Sequence, residues 1–183
     1  MGLRNTSTNW GMLAKTLHWL VAIGIFWIIW LGFEQADMER GPERLAARMT
    51  HGSWALLILM LMTIRIVWRL MNETPARPDG MPGWQRVMES ITHWGIYIAV
   101  FTQLTAGSMT MATGGRALPF FGVFNLPLPV AEDEDAHHFW EEIHEFVWKP
   151  LIALMALHIV AALYNHFVQK NDVLRRMTVG TAD

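Results

Sequence analysis

Residues 139–168 read FWEEIHEFVWKPLIALMALHIVAALYNHFV, and this stretch decides the fold. From Phe146 to Leu163 its only polar side chains are Lys149 and His158. About 20 mostly apolar residues suffice for a helix to cross a bilayer. The stretch also carries His144 and His158, fourteen residues apart. That is just under four helical turns, so both imidazoles share one face. At about 1.5 Å per residue they lie at depths about 21 Å apart. A histidine inside a membrane span is costly and is a functional hypothesis by default, with an interhelical hydrogen bond as the plain alternative.

Three more stretches have comparable length and character: residues 12–33, residues 48–70 with an apolar centre at 53–64, and residues 88–113. The last of these is diluted by Thr102, Gln103, Thr105, Ser108 and Thr110. The connecting segments 34–47, 71–86 and 114–136 are polar or rich in turn residues. The pattern predicts an all-α, integral membrane four-helix bundle spanning 12–33, 48–70, 88–113 and 139–168. The whole chain, 1–183, reads as one domain, since no Pro/Gly/Ser-rich linker divides it.

Composition agrees. The chain of 183 residues is 52% hydrophobic and 16% charged, against about 25% charge in a soluble domain. Ten tryptophans suit a membrane interface, where an indole sits half in lipid and half in water. There is no cysteine, which excludes disulfides, thiolate metal sites, iron–sulfur clusters and covalent haem attachment. No basic stripe suggests a nucleic-acid partner. The apolar run 17–33 is longer than a signal-peptide core and no small-residue cleavage site follows it, so it is expected to be the first span rather than a cleaved leader.

Charge placement predicts orientation. With four spans, one side collects Arg4, Lys15, Arg65, Arg69, Arg77, Arg86, Lys170, Arg175 and Arg176 against five acids. The other collects Arg40, Arg44, Arg48, Arg116 and Lys149 against eleven acids, including the run 132–135. Short loops rich in Lys and Arg stay cytoplasmic, so both termini are expected inside.

Alternating helix direction then sorts the histidines by depth. His18 opens the first span at the inner face. His51 opens the second at the outer face, level with His144, and His158 is level with His18. Two pairs result, His51/His144 outside and His18/His158 inside. A low-spin haem takes one axial ligand from each side of its plane, and facing helices can supply both. Two b-type haems are therefore expected, with these four histidines as ligands to iron. Zinc suits the pattern less, since a structural zinc site gathers four ligands in one place.

The remaining histidines carry several readings. His93 enters at the inner level and suits a haem propionate, a quinone pocket or a simple interhelical hydrogen bond. His137 and His138 belong to an acidic segment and are expected at the surface, and His166 is expected near headgroups. Haem propionates call for cationic partners. Arg65 and Arg69, one turn apart, suit the inner haem and Arg48 the outer one, with snorkelling toward headgroups as the alternative. Lys149 could reach an outer substrate, and Pro150 removes a backbone hydrogen bond from the fourth helix. Gly24, Gly52 and Gly107 are candidates for close approach of a porphyrin or a helix.

These residues resemble the bacterial cytochrome b561 family. The resemblance rests on Lys15-Thr-Leu-His18-Trp19, His51-Gly52, Arg65-x-x-x-Arg69-Leu70 followed by Pro75 and Pro78, and His93-Trp-Gly-Ile-Tyr97. It continues with Leu118-Pro-Phe-Phe-Gly122, Ile143-His144-Glu145 with His158, Asn165-His166-Phe167 and Leu174-Arg-Arg-Met177. It covers most of the chain in order. It implies a four-helix di-haem protein of the bacterial inner membrane, with membrane quinone (ubiquinone, for example) as a partner at the inner side.

The expected function is electron transfer between a periplasmic donor, a soluble or membrane redox partner, and the quinone pool. Two alternatives are a superoxide:quinone oxidoreductase and a haem-b membrane subunit of a dehydrogenase or hydrogenase complex. Superoxide is an anion and is drawn by positive potential. The outer loops carry excess acid, so Lys149 and Arg48 would have to supply a local positive pocket.

Overall fold

Long apolar tracts bounded by helix-starting residues set the architecture of the computed structural model, which describes residues 2–78 and 80–180. Helix α1 spans Met12–Asp37, α2 Pro42–Met71, α3 Gly83–Thr113 and α4 Glu134–Phe167; a short α5 covers Val173–Met177. Between α3 and α4 lies a small hairpin, β1 (Leu118–Phe120) and β2 (Phe124–Leu126), paired antiparallel with Leu118 opposite Leu126. Among the described residues, three helices are long and apolar enough to cross a membrane: α1, α2 and α4.

The helices extend beyond the expected spans, and the extra turns have local causes. Pro42 opens α2 with Glu43 in its first turn. Proline at the first helical position forfeits an N–H that would have no partner anyway, and a carboxylate there favours the helix dipole. At α4, Asp133 Oδ1 accepts from the Ala136 N–H at 2.8 Å, and Glu134 and Asp135 fill the first turn. The acidic run expected to be loop therefore starts a helix, as an Asp N-cap followed by acids does. Pro150 lies inside α4, which continues past it to Phe167.

Helix α3 is 31 residues long despite its hydroxyls. Ser108, Thr110 and Thr113 donate to the carbonyls of Leu104, Ala106 and Met109 at 2.8, 2.9 and 2.7 Å. Each hydroxyl is satisfied by the preceding turn, so its polarity does not break the helix.

The hairpin departs from the all-α expectation. Its tip places Phe121 (φ 48°) and Gly122 (φ 73°) in the left-handed region, and the Val123 N–H closes the turn on Phe120 at 2.9 Å. Phe120 stacks on Phe124 with ring centroids 4.8 Å apart. A positive φ suits Gly122 without strain and is unusual for Phe121.

The contacts divide the chain into two units, each built from segments of the same four helices. Unit 1 contains the residues up to Trp19, Ile64–Val100, and those from Lys149 on. Its core includes Ala14, Leu17, Tyr97, Val100, Leu151 and Met155. In this unit the N-terminal segment is tied to the α2–α3 connection and α1 to α5: the Ala76 N–H bonds the Ser7 carbonyl at 2.8 Å, and Trp19 Nε1 donates to the Met177 carbonyl at 3.0 Å. Buried Asn165 accepts from Gln85 at 3.1 Å and from Asn171 at 2.6 Å. Unit 2 contains Leu20–Thr63 and Phe101–Trp148. Its core includes Val21, Ile25, Leu56, Ile58, Leu104 and Ala106. Large apolar side chains such as Ile23, Phe26, Trp30, Ile98 and Val160 stay exposed, a surface that suits lipid rather than water.

Candidate functional site

Within unit 2, α2 presents His51 and α4 presents His144 to each other. The two half-buried imidazoles have ring centroids 6.3 Å apart and planes crossed at 81°. Within unit 1, α1 presents His18 and α4 presents His158, with centroids 6.1 Å apart and planes at 67°. An imidazole nitrogen binds a transition metal at about 2.0–2.1 Å and lies about 1.2 Å from its ring centre, so two imidazoles on opposite sides of one metal have centroids about 6.4 Å apart. Both separations fit that spacing. Among the described residues no group of three or more His, Cys, Asp or Glu converges as a metal site. A haem would draw only two ligands from the protein, so a haem site would not need one.

The surroundings of His144 fit the same role. Its Nδ1 lies 3.0 Å from the Gln103 backbone carbonyl, which can only accept, so Nδ1 carries the proton and Nε2 keeps its lone pair for a metal. Gln103 also donates through Nε2 to the His144 carbonyl at 3.0 Å. This residue was not singled out from the sequence, and no sequence signal marks it beyond a polar side chain in an apolar helix. Glycines flank both imidazoles. A Cβ on Gly107 would come 2.9 Å from His144 Cε1, and one on Gly32 would come 3.4 Å from His51 Cε1. The other glycines singled out from the sequence face protein instead: Gly24 the Ile58 side chain, and Gly52 Pro119 and Met111.

The hairpin closes on α2 next to His51. Ser53 Oγ accepts from the Phe121 N–H at 3.0 Å while donating to the Met49 carbonyl at 2.9 Å. Trp54 meets Phe121 edge-on at 5.3 Å. Arg48, a turn before His51, is exposed.

In unit 1 the structure brings three more sequence-selected residues to one place. His93 lies 5.1 Å from the His158 ring, and its Nδ1 is 3.9 Å from Glu89, which also pairs with Arg77 at 2.8 Å. Arg65 donates to the Ala14 carbonyl at 3.2 Å. The Arg69 guanidinium lies over the rings of Trp10 and Tyr97, at 5.8 and 5.9 Å, within cation–π range.

The outlying histidines stand apart from these pairs. His138 is exposed, 3.8 Å from Glu141, and His166 packs edge-on against Phe167. His137, expected at the surface, is half-buried and its Nδ1 lies 2.8 Å from the Thr110 carbonyl. The early start of α4 carries it back against α3.

The chain is similar to several relatives along most of its length. Cytochrome b561 homolog 2 of Escherichia coli (strain K12) is 26% identical over 184 residues, covering 97% of this chain and 95% of the relative. Cytochrome b561 homolog 1 of the same organism is 28% identical over 169 residues, with 88% and 92% covered. A protein of Yersinia pestis named probable superoxide oxidase CybB is 26% identical over 163 residues, with 88% and 90% covered. The prokaryotic cytochrome b561 family model matches residues 9–180, nearly the whole chain, and the protein belongs to that family.

Proposed function

We propose that the protein is a di-haem membrane cytochrome that carries electrons between a donor at the outer face of the bacterial inner membrane and the quinone pool. Family membership implies b-type haem. The observation that carries the di-haem reading is the pair of imidazole separations, 6.3 Å for His51/His144 and 6.1 Å for His18/His158. Haem, when bound, supplies reversible one-electron exchange at iron. The chain's own residues bind and orient it: His51 and His144 as the outer ligands, His18 and His158 as the inner ones. Gln103 holds the His144 tautomer. Arg48 offers positive charge to the outer haem, and Arg65 and Arg69 to the inner one, with His93 beside the inner ligand His158.

In this reading α3 is a fourth span, since the Ser108, Thr110 and Thr113 hydroxyls are bonded within the helix. Both termini face the cytoplasm, because the N-terminal, 71–86 and C-terminal segments, with Lys15, Arg65 and Arg69 at the adjoining helix ends, hold most of the Lys and Arg.

A reduced-minus-oxidised spectrum with haem quantification on detergent-purified protein tests the proposal, alongside His51→Ala and His158→Ala. Two haems per chain, with each variant losing one, is the expected result. Absence of a haem band sinks it.

A second reading, superoxide oxidation coupled to quinone reduction, is favoured by the name of the Yersinia pestis relative. Lys149 on α4 and Arg48 on α2 are its candidate cations. Superoxide-driven reduction of a soluble quinone by the purified protein supports this version; no activity above the spontaneous rate removes it.

A further inference from the structure

Buried donors without acceptors mark places where a ligand oxygen belongs, since such a group left unpaired costs about 1–3 kcal/mol. Two of them line one small cavity in unit 1. The Trp68 indole Nε1 is buried with no hydrogen-bond partner among the described residues. Tyr97, only 7% exposed, lines the same cavity as Arg65 and Arg69, and its hydroxyl is buried. A guanidinium has only N–H groups and cannot take the hydroxyl proton, which has no acceptor among the described residues. Arg69 completes the set, its guanidinium held over Trp10 and Tyr97. Asn5 from the N-terminal segment and Met177 from α5 line the same cavity.

Two residues with buried neutral donors and two arginines around one space call for an anionic acceptor, and a carboxylate suits them: it accepts at both oxygens and bonds to arginine in a charge-assisted way. The space is small, about 10 Å³, so it admits the end of a side group and not a ring. The inner imidazole pair lies in the same unit, and α1, which carries His18, also walls the cavity with Ala14 and Leu17.

We propose that Trp68 Nε1 and the Tyr97 hydroxyl, with Arg65 and Arg69, form a carboxylate pocket for a propionate of the haem held by His18 and His158. The proposal rests on the di-haem reading and extends it to two donors that the charge pattern did not reveal. Each donor removed leaves more of the propionate's negative charge uncompensated near the iron, which favours the ferric state.

Trp68→Phe and Tyr97→Phe keep the rings and remove the donors, so the variants are made in the purified holoprotein carrying haem labelled with ¹³C in its propionate carboxylates. Haem content per chain, inner-haem midpoint potential and the redox-difference infrared spectrum are read together. The expected result is two haems retained and a shift of the inner couple toward ferric by up to about tenfold per donor, or about 59 mV for one electron, with movement of the ¹³C-sensitive carboxylate band. An unmoved potential and band in both variants overturns the pocket. An unmoved band combined with weakened binding of a quinone analogue also overturns it and reassigns the donors to a quinone carbonyl. Failure of the di-haem reading itself shows separately, as absence of haem from the parent protein.

Discussion

The His144 imidazole donates from Nδ1 to the backbone carbonyl of Gln103 across 3.0 Å, and the Gln103 side chain returns a hydrogen bond to the His144 carbonyl at the same distance. One link sets the tautomer of a candidate metal ligand; the other fixes α3 against the α4 turn that bears it.

Only the second link depends on the Gln103 side chain. Gln103→Leu should therefore leave the Nδ1 bond in place and cost no more than about 1.5 kcal/mol, partly offset because Gln103 Oε1 is itself buried without a partner among the described residues. Thermal unfolding should show a lowered midpoint with haem content retained. Loss of the outer haem in this variant would mean that the side chain, not the carbonyl, holds His144.

Substitutions at the two glycines facing the outer imidazoles should differ. A Cβ at Gly107 would be 2.9 Å from His144 Cε1, a distance that forces a shift, whereas at Gly32 the nearest His51 atom would be 3.4 Å away, ordinary contact. Gly107→Ala is expected to broaden or displace the low-spin signal of the outer haem in electron paramagnetic resonance. Gly32→Ala should leave it unchanged and add up to about 1 kcal/mol of helix stability. Equal effects from the two would show that these contacts do not govern the site.

Ser53 Oγ ties the hairpin to α2 by accepting from Phe121 N. In Ser53→Ala the Phe121 amide loses its acceptor, worth about 1–3 kcal/mol locally if the N–H stays buried. Its hydrogen exchange should accelerate by about 5- to 150-fold, while amides at the centre of α4 stay protected. Unchanged exchange at Phe121 would show that the hairpin is held by its aromatic contacts with Trp54 instead.

Asp133 caps α4 through Ala136 N. Asp133→Ala should cost about 0.5–2 kcal/mol and speed proteolysis ahead of His137, with both haems retained. Asp133→Asn, which keeps the acceptor oxygen, should recover most of the loss. An Asn variant as weak as Ala would point to charge at the helix start, supplied also by Glu134 and Asp135, as the main contribution.

Much was legible from residue order because a bilayer restricts the options. A span must bond its own backbone, so apolar length in α1, α2 and α4 announced helices directly. Helical rise and period then placed His144 and His158 on one face at two depths, which led to the proposed partners His51 and His18. The family resemblance was equally readable, since its motifs are local.

What the tertiary structure decided is what depends on neighbours remote in sequence. That His137 is half-buried against Thr110, that the 118–126 segment forms a hairpin seated on Ser53, and that Gln103 clasps His144 are bonds across separate elements. The helix starts at Pro42 and Glu134 depend on capping rather than on hydrophobic pattern, which ends before they do. Trp68 and Tyr97 look in the sequence like two more aromatic residues of a membrane protein. Only packing shows that both line one cavity beside two arginines with a polar group buried and unpartnered among the described residues, because hydrophobic periodicity reports which face is buried and says nothing of where a single N–H or O–H on that face finds its acceptor.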